Sequence, residues 1–85
     1  MKEPQITIVR SGVEYQIPQF KKTDGGLVQQ KEVHNFNFVG EKDGVRLLDV
    51  LGVCQHELEA INKKAPNDHL SAAIEHLRNA MMLLD

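Results

Sequence analysis

The apolar side chains of this sequence change their spacing part-way along, and that change limits the fold more than any other feature. Up to Val39 the pattern steps by two: Val13, Tyr15 and Ile17 alternate with Glu14 and Gln16, and Phe36 and Phe38 alternate with Asn35 and Asn37. A period of two belongs to strands with one covered and one wet face. Beyond Asp43 the steps become three and four, first through Leu47, Leu48, Leu51, Cys54, Leu58 and Ile61, then through Leu70, Ile74, Leu77, Met81 and Leu84. That is helix spacing. The expected class is therefore α+β, with a small N-terminal antiparallel β-sheet over residues 1–40 followed by a C-terminal antiparallel αα-hairpin over 43–84, all within a single domain 1–85.

Punctuating residues refine this outline. Ser11-Gly12 separates two runs rich in β-branched residues and predicts a hairpin turn. Pro18 has no N–H for a ladder, so it is expected to end the second strand or confine it to an edge. "FKKTDGG" then reads as a polar connection with its turn at Asp24-Gly25-Gly26. Asp43 is the expected N-cap of the first helix, Lys63-Lys64 suit its C-terminal end, Pro66 breaks the pattern, and Asn67 or Asp68 caps the second helix. Gly52 in mid-helix costs about 1 kcal/mol against Ala, which points to close approach of another backbone there.

Size sharpens the problem of burial. A chain of 85 residues hides only about 60 to 65% of its unfolded surface, so its core is marginal without cross-links, a metal or a partner subunit. One cysteine removes the internal disulfide, and Cys54, in an apolar run with Val50, Leu51 and Val53, reads as a small buried hydrophobe. The longest unbroken apolar run is "AMMLL", which is neither a secretory core nor a membrane span, so a cytoplasmic setting is expected. Once the helical seam is assigned, Leu48, Val53, Ala73, Ala80, Met82 and Leu83 are left over. Those six are the expected oligomer interface, beside a stripe on which His69 and His76 also lie.

Charge and chemistry exclude several classes. Ten Lys and Arg against twelve Asp and Glu give a net charge of −2, which argues against binding duplex nucleic acid and against a DNA-binding regulator. "QHELEA" lacks the second His of a helical zinc site, since Ala60 stands four residues after His56, and His69 and His76 are too far apart for one ion. Ser11 and Ser71 have no visible base, Glu57 and Glu59 diverge, and "GEKDG" is not a phosphate loop. The chain therefore reads as a non-enzyme with no metal and no cofactor. The remaining polar groups, Lys31, Asn35, Asn37, Arg46, Asn67, His69 and Arg78, together with His34, suit a small phosphate-bearing ligand. Arg offers a planar fork to phosphate, helix starts favour anions, and Asn reads base edges; Phe36 or Tyr15 would stack on the base.

The C-terminal segments "DGVRLLDVLGVCQHELEAI" and "PNDHLSAAIEHLRNAMMLLD", with Ala73-Ile74, Leu77 and Ala80-Met81 in the second helix, resemble the helical-hairpin family of phage anti-defence sponges of the anti-Thoeris and anti-CBASS type. "KEVHNFNFVG" looks like the turn-and-strand segment of the anti-Thoeris branch. The likeness covers about half of the chain, and Met82 stands where many members carry Trp. The resemblance implies capture, without cleavage, of a small cyclic nucleotide or cyclic ADP-ribose-type signal by homo-oligomers with pockets between protomers, in the host cytoplasm if the chain is phage-encoded. The alternative is a small protein-interaction module or inhibitor that binds a host protein through its apolar helix face.

Overall fold

The strand-period half folds as a meander. In the computed structural model, which describes residues 3–84, β1 (Thr7–Arg10), β2 (Glu14–Thr23) and β3 (Gly26–Asn37) form an antiparallel sheet in that order, and α1 (Leu47–Lys64) and α2 (Asp68–Leu84) follow. The chain is thus α+β. It divides into two compact units, Met1–Val45 and Arg46–Asp85.

In the first unit, Ser11-Gly12-Val13 turns β1 into β2, with the Val13 N–H donating to the Arg10 carbonyl at 3.0 Å. Gly12 has φ +78°, a left-handed conformation that side chains resist. Its N–H donates to the Tyr15 hydroxyl at 2.7 Å. Register then fixes the faces: Tyr15 opposes Phe36 and Ile17 opposes His34, whereas Glu14 opposes Asn37 and Gln16 opposes Asn35. The alternation in the sequence therefore becomes one aromatic face and one amide face. On the aromatic face, Tyr15 meets Phe38 edge-on at 5.9 Å, His34 meets Phe36 at 5.2 Å and Phe36 stacks on Phe38 at 6.4 Å.

Pro18 does not end β2, contrary to the reading from sequence. Its missing N–H is accommodated in two ways. β1 pairs only as far as Gln16, so β2 is already an edge on that side, and the β3 register slips at Pro18, with residues 30–32 standing against Gln19 alone. Beyond the slip, "FKKT" is strand rather than connection. Phe20 through Thr23 pair with Gln29 through Gly26 as a two-stranded arm around the tight turn at Asp24-Gly25.

After β3 the chain folds back on its own end. The Val45 N–H donates to the Asn37 carbonyl and the Val39 N–H to the Val45 carbonyl, each at 2.9 Å. This explains why Asp43 is not the cap of α1. Gly44 and Val45 are held against Asn37 and Phe38, so the helix starts at Leu47, with extended Arg46 as its N-cap.

In the second unit α1 and α2 pack side by side. Leu51, Leu58, Leu70, Leu77 and Met81 are half-buried along the seam, and Ile74, 8% exposed, is the only buried side chain among the described residues. The seam does not take every apolar residue of α1. Leu47, Cys54 and Ile61 are exposed, because at about 100° per residue they fall to one side of the Leu51–Leu58 line. Cys54 is thus not the buried residue its neighbours suggested. A Cβ added at Gly52 would have the Met81 methyl as its nearest neighbour, at 4.0 Å, so a side chain in ordinary contact stands there rather than a backbone.

The helix connection is held by amides. The Asn67 side-chain oxygen accepts the His69 N–H at 2.7 Å, capping α2, while the Asn62 oxygen accepts the Asn67 N–H at 3.0 Å and its NH₂ donates to the Ser71 hydroxyl at 3.2 Å. Asn67→Ala is expected to cost about 0.5–2 kcal/mol of hairpin stability, and Asn67→Asp to recover most of it, as read from thermal melts at 222 nm. A Cβ at Gly44 would press on the Asn37 carbonyl and lie 2.9 Å from the Phe38 carbonyl carbon, whereas Gly40 has nothing within 4 Å. Gly44→Ala is therefore expected to lower stability by about 1–3 kcal/mol and Gly40→Ala to change it little, measured by urea denaturation.

Candidate functional site

The polar residues singled out from sequence fall into two groups. Lys31, Asn35, Phe36 and Asn37 belong to the sheet unit, and Arg46, Asn67, His69 and Arg78 to the hairpin unit. Within the sheet, Lys31 is exposed on the register slip, and Asn35 and Asn37 lie on the amide face with Gln16 and Glu14. The Gln16 side-chain N–H₂ donates to the Asn35 oxygen at 3.1 Å. Phe36 is on the opposite face, so it does not share a surface with the two amides. A shallow hollow lined by Gln5, Thr7, Gln16, Pro18 and Gln29 opens beside them.

On the hairpin both arginines already have a partner. Arg46 grips Asp49 with both arms of its fork, Nε to Oδ2 and Nη2 to Oδ1, each at 2.8 Å. The hydrogen bond from Arg46 holds the Asp49 carboxyl below its ordinary range, and the same pair raises the Arg46 pKa. Arg78 Nη2 lies 3.4 Å from Glu59 Oε1 and links α2 to α1. Glu59 is held below its ordinary pKa first by the Gln55 amide, which donates at 3.0 Å, and then by the charge of Arg78.

These groups do not converge within one hairpin. Arg46 precedes the first turn of α1, and Asn67 and His69 open α2, next to the far end of α1 in an antiparallel pair. The 18 residues between rise roughly 27 Å. Arg78 sits part-way along. A small ligand reaches one of these positions in a given chain, or several only where chains meet. Asn67 also spends its side-chain oxygen on the cap, and the His69 N–H is taken by that cap.

Of the expected interface residues, Val53, Met82 and Leu83 are 71%, 74% and 87% exposed, Ala80 is exposed, and Leu48 and Ala73 are half-buried. No one surface holds all six. Met82 follows Arg78 by four residues and shares its side of α2, Val53 projects from the back of α1, and Leu48 and Ala73 border the seam on opposite sides. Leu47, Cys54 and Ile61, counted as seam from the sequence, share a surface on α1 with Val50. The spacing of seven through Leu47, Cys54 and Ile61 was the available signal.

Among the described residues no group of three His, Cys, Asp or Glu stands ready to hold a metal, and no helix is long and apolar enough to cross a membrane.

Because the folded-state pKa values of Asp49 and Glu59 are lowered, their contribution to stability is fully present above the unfolded carboxylate pKa and is lost as pH falls through the folded values. The hairpin melting temperature is therefore expected to drop on acidification below about pH 4.5, the ordinary Glu value. Glu59→Gln should flatten that dependence and Asp49→Asn reduce it further, with modest size because both groups face solvent. Melts at 222 nm between pH 3 and pH 7 read the difference.

No protein-family model matches the chain, and no curated protein or solved structure matches it.

Proposed function

We propose that the protein is a non-enzymatic homo-oligomeric binder that captures a small cyclic nucleotide or cyclic ADP-ribose-type immune signal and so deprives a bacterial defence effector of its activator. The observation that carries this reading is how little of the chain is shielded from water. The chain leaves 7354 Å² accessible. Ile74 is the only buried side chain among the described residues, while Phe20, Leu27 and Val28 on the sheet unit and Val53, Met82 and Leu83 on the hairpin are exposed. Exposure on that scale calls for a partner surface, and further copies of the same chain are the partner always at hand.

Assembly would also give the scattered cations a purpose. Arg46, at one end of the hairpin, and Asn67 and His69, at the other, meet only across chains, in keeping with the between-protomer pockets that the sponge resemblance implies. In this reading Arg46 and Arg78 exchange Asp49 and Glu59 for phosphate oxygens, whose greater charge favours the exchange. Lys31 adds charge and Asn35, Asn37 and Asn67 read ribose or base edges, whereas Phe36, on the other face of β3, stands apart from the two sheet amides. The function requires binding alone, with release rather than product as its reverse step.

A second reading, an interaction module that docks on a host protein, draws on the exposure of Met82 and Leu83 at the end of α2. Isothermal titration against cyclic di- and trinucleotides and cyclic ADP-ribose isomers separates the two. The sponge reading expects saturable binding of at least one compound, at less than one ligand per chain, and a loss of about tenfold or more in affinity for Arg78→Ala or Arg46→Ala. No heat with any compound on the panel overturns it.

A further inference from the structure

We infer that the hollow on the amide face of the sheet is a base-binding subsite, and that the base it takes is adenine. The inference deepens the ligand-capture reading and rests on it for a ligand that carries a base, though not for any contact between copies.

The hollow exists because the sheet opens around one residue. Pro18 has no N–H to donate, and the ladder breaks off on either side of it. Toward β1, pairing stops at Thr7 against Gln16, so Gln5, which the same register would set against Pro18, lies outside the strand. Toward β3, Val33 opposes Pro18, but the register then slips and the next residue paired is Gln29, opposite Phe20. Gln5 and Thr7, Gln16 and Pro18, and Gln29 and Val33 are each two or four residues apart, so each pair stays on one side of its strand. These six line a hollow of about 340 Å³. Small-molecule sites run from about 300 to 1,000 Å³.

The lining selects the occupant. Pro18 and Val33, paired and apolar, give the flat face of a ring something to rest on. Three amides stand around them from three segments: Gln5 before β1, Gln16 on β2 and Gln29 on β3. The Gln16 amide is held by its bond to Asn35 at 3.1 Å, and Gln5 and Gln29 are exposed. No charged side chain is among the lining residues, which suits a neutral polar ring rather than a phosphate. A second hollow, across the slip beside Gln19 and Gln30, differs in being flanked by Lys21 and Glu32.

An amide sets an acceptor oxygen beside a donor N–H, so its complement is a donor beside an acceptor. Adenine carries that combination on two edges, N6–H with N7 and N6–H with N1, and amides from different strands can read both at once. Guanine carries it on one edge only, because its N7 and O6 both accept and call for Arg or Lys, neither of which lines the hollow. Cytosine and uracil are confined to one such edge as well. Asn35 and Asn37, farther along the same face, are then left for the ribose.

Adenosine, a base and ribose without phosphate, is the direct probe. In nitrogen-15 correlation spectra of the full chain, adenosine is expected to shift the side-chain amide signals of Gln5, Gln16 and Gln29 saturably. Inosine, in which an oxygen replaces the N6 amino group, should bind about tenfold or more weaker, as should cytidine and uridine. Gln29→Glu, which replaces an N–H donor with a charge of the same shape, should weaken adenosine binding about tenfold or more, whereas Gln19→Glu, the same change on the opposite face, should leave it unchanged. No shift at about 10 mM adenosine overturns the inference. So do shifts confined to the hairpin, or equal binding of inosine or of ribose alone. The wild-type titration decides even if a variant unfolds. Adenosine binding in the hollow with no heat from any cyclic nucleotide would sink signal capture and keep the subsite, and binding of adenine-free cyclic nucleotides alone would do the reverse.

Discussion

Two helices lying side by side touch along one line, so each hides one stripe of its circumference and shows the rest to water. The hairpin of 18 and 17 residues obeys that limit closely: its seam covers Ile74 and half-covers its neighbours, and a second apolar flank on the same residues is left open. On one face of the pair the Glu59–Arg78 ion pair and the Asn62–Ser71 hydrogen bond cross between the helices, beside exposed Met82. Exposed ion pairs add little stability, but they set which face stays wet.

The sheet unit meets the same limit by a different route. A three-stranded sheet has two faces, and here aromatic residues gather on one, where Tyr15, Phe36 and Phe38 shield one another, and amides on the other. The two-stranded arm from Phe20 to Gln29 has not even a third strand beside it. Ribbons of this kind are marginal in isolation. Phe20, Leu27 and Val28 are all exposed on it, which places the same demand for a partner on the first unit as on the second.

How much of this was written in the sequence depends on how local the cause is. The change from period two to helical period gave the order of the elements, and Phe36/Phe38 against Asn35/Asn37 gave the faces of β3, because both follow from backbone geometry alone. Asn67 as a cap was legible for the same reason. Pro18 misled, since whether a missing N–H ends a strand depends on how far the neighbouring strand extends, and β1 stops at Gln16. Asp43 misled because Gly44 and Val45 are held by Asn37, a contact that spacing does not announce. The α1 apolar residues were all assigned to one seam, although six positions spread over more than one stripe, and so the flank through Cys54 went unseen. The candidate ligand residues were legible as residue types only; their distribution over two units and both ends of the hairpin is a property of the fold.

The central claim is that this chain's stability is shared between copies, through apolar faces a single copy leaves open. Equilibrium urea unfolding followed at 222 nm, repeated over a hundredfold range of protein concentration, tests it directly. If folding and association are one process, the midpoint rises steadily with concentration, by the mass-action dependence of an obligate oligomer. A midpoint that stays the same across the whole range would mean that the monomer is stable by itself, and would contradict the account.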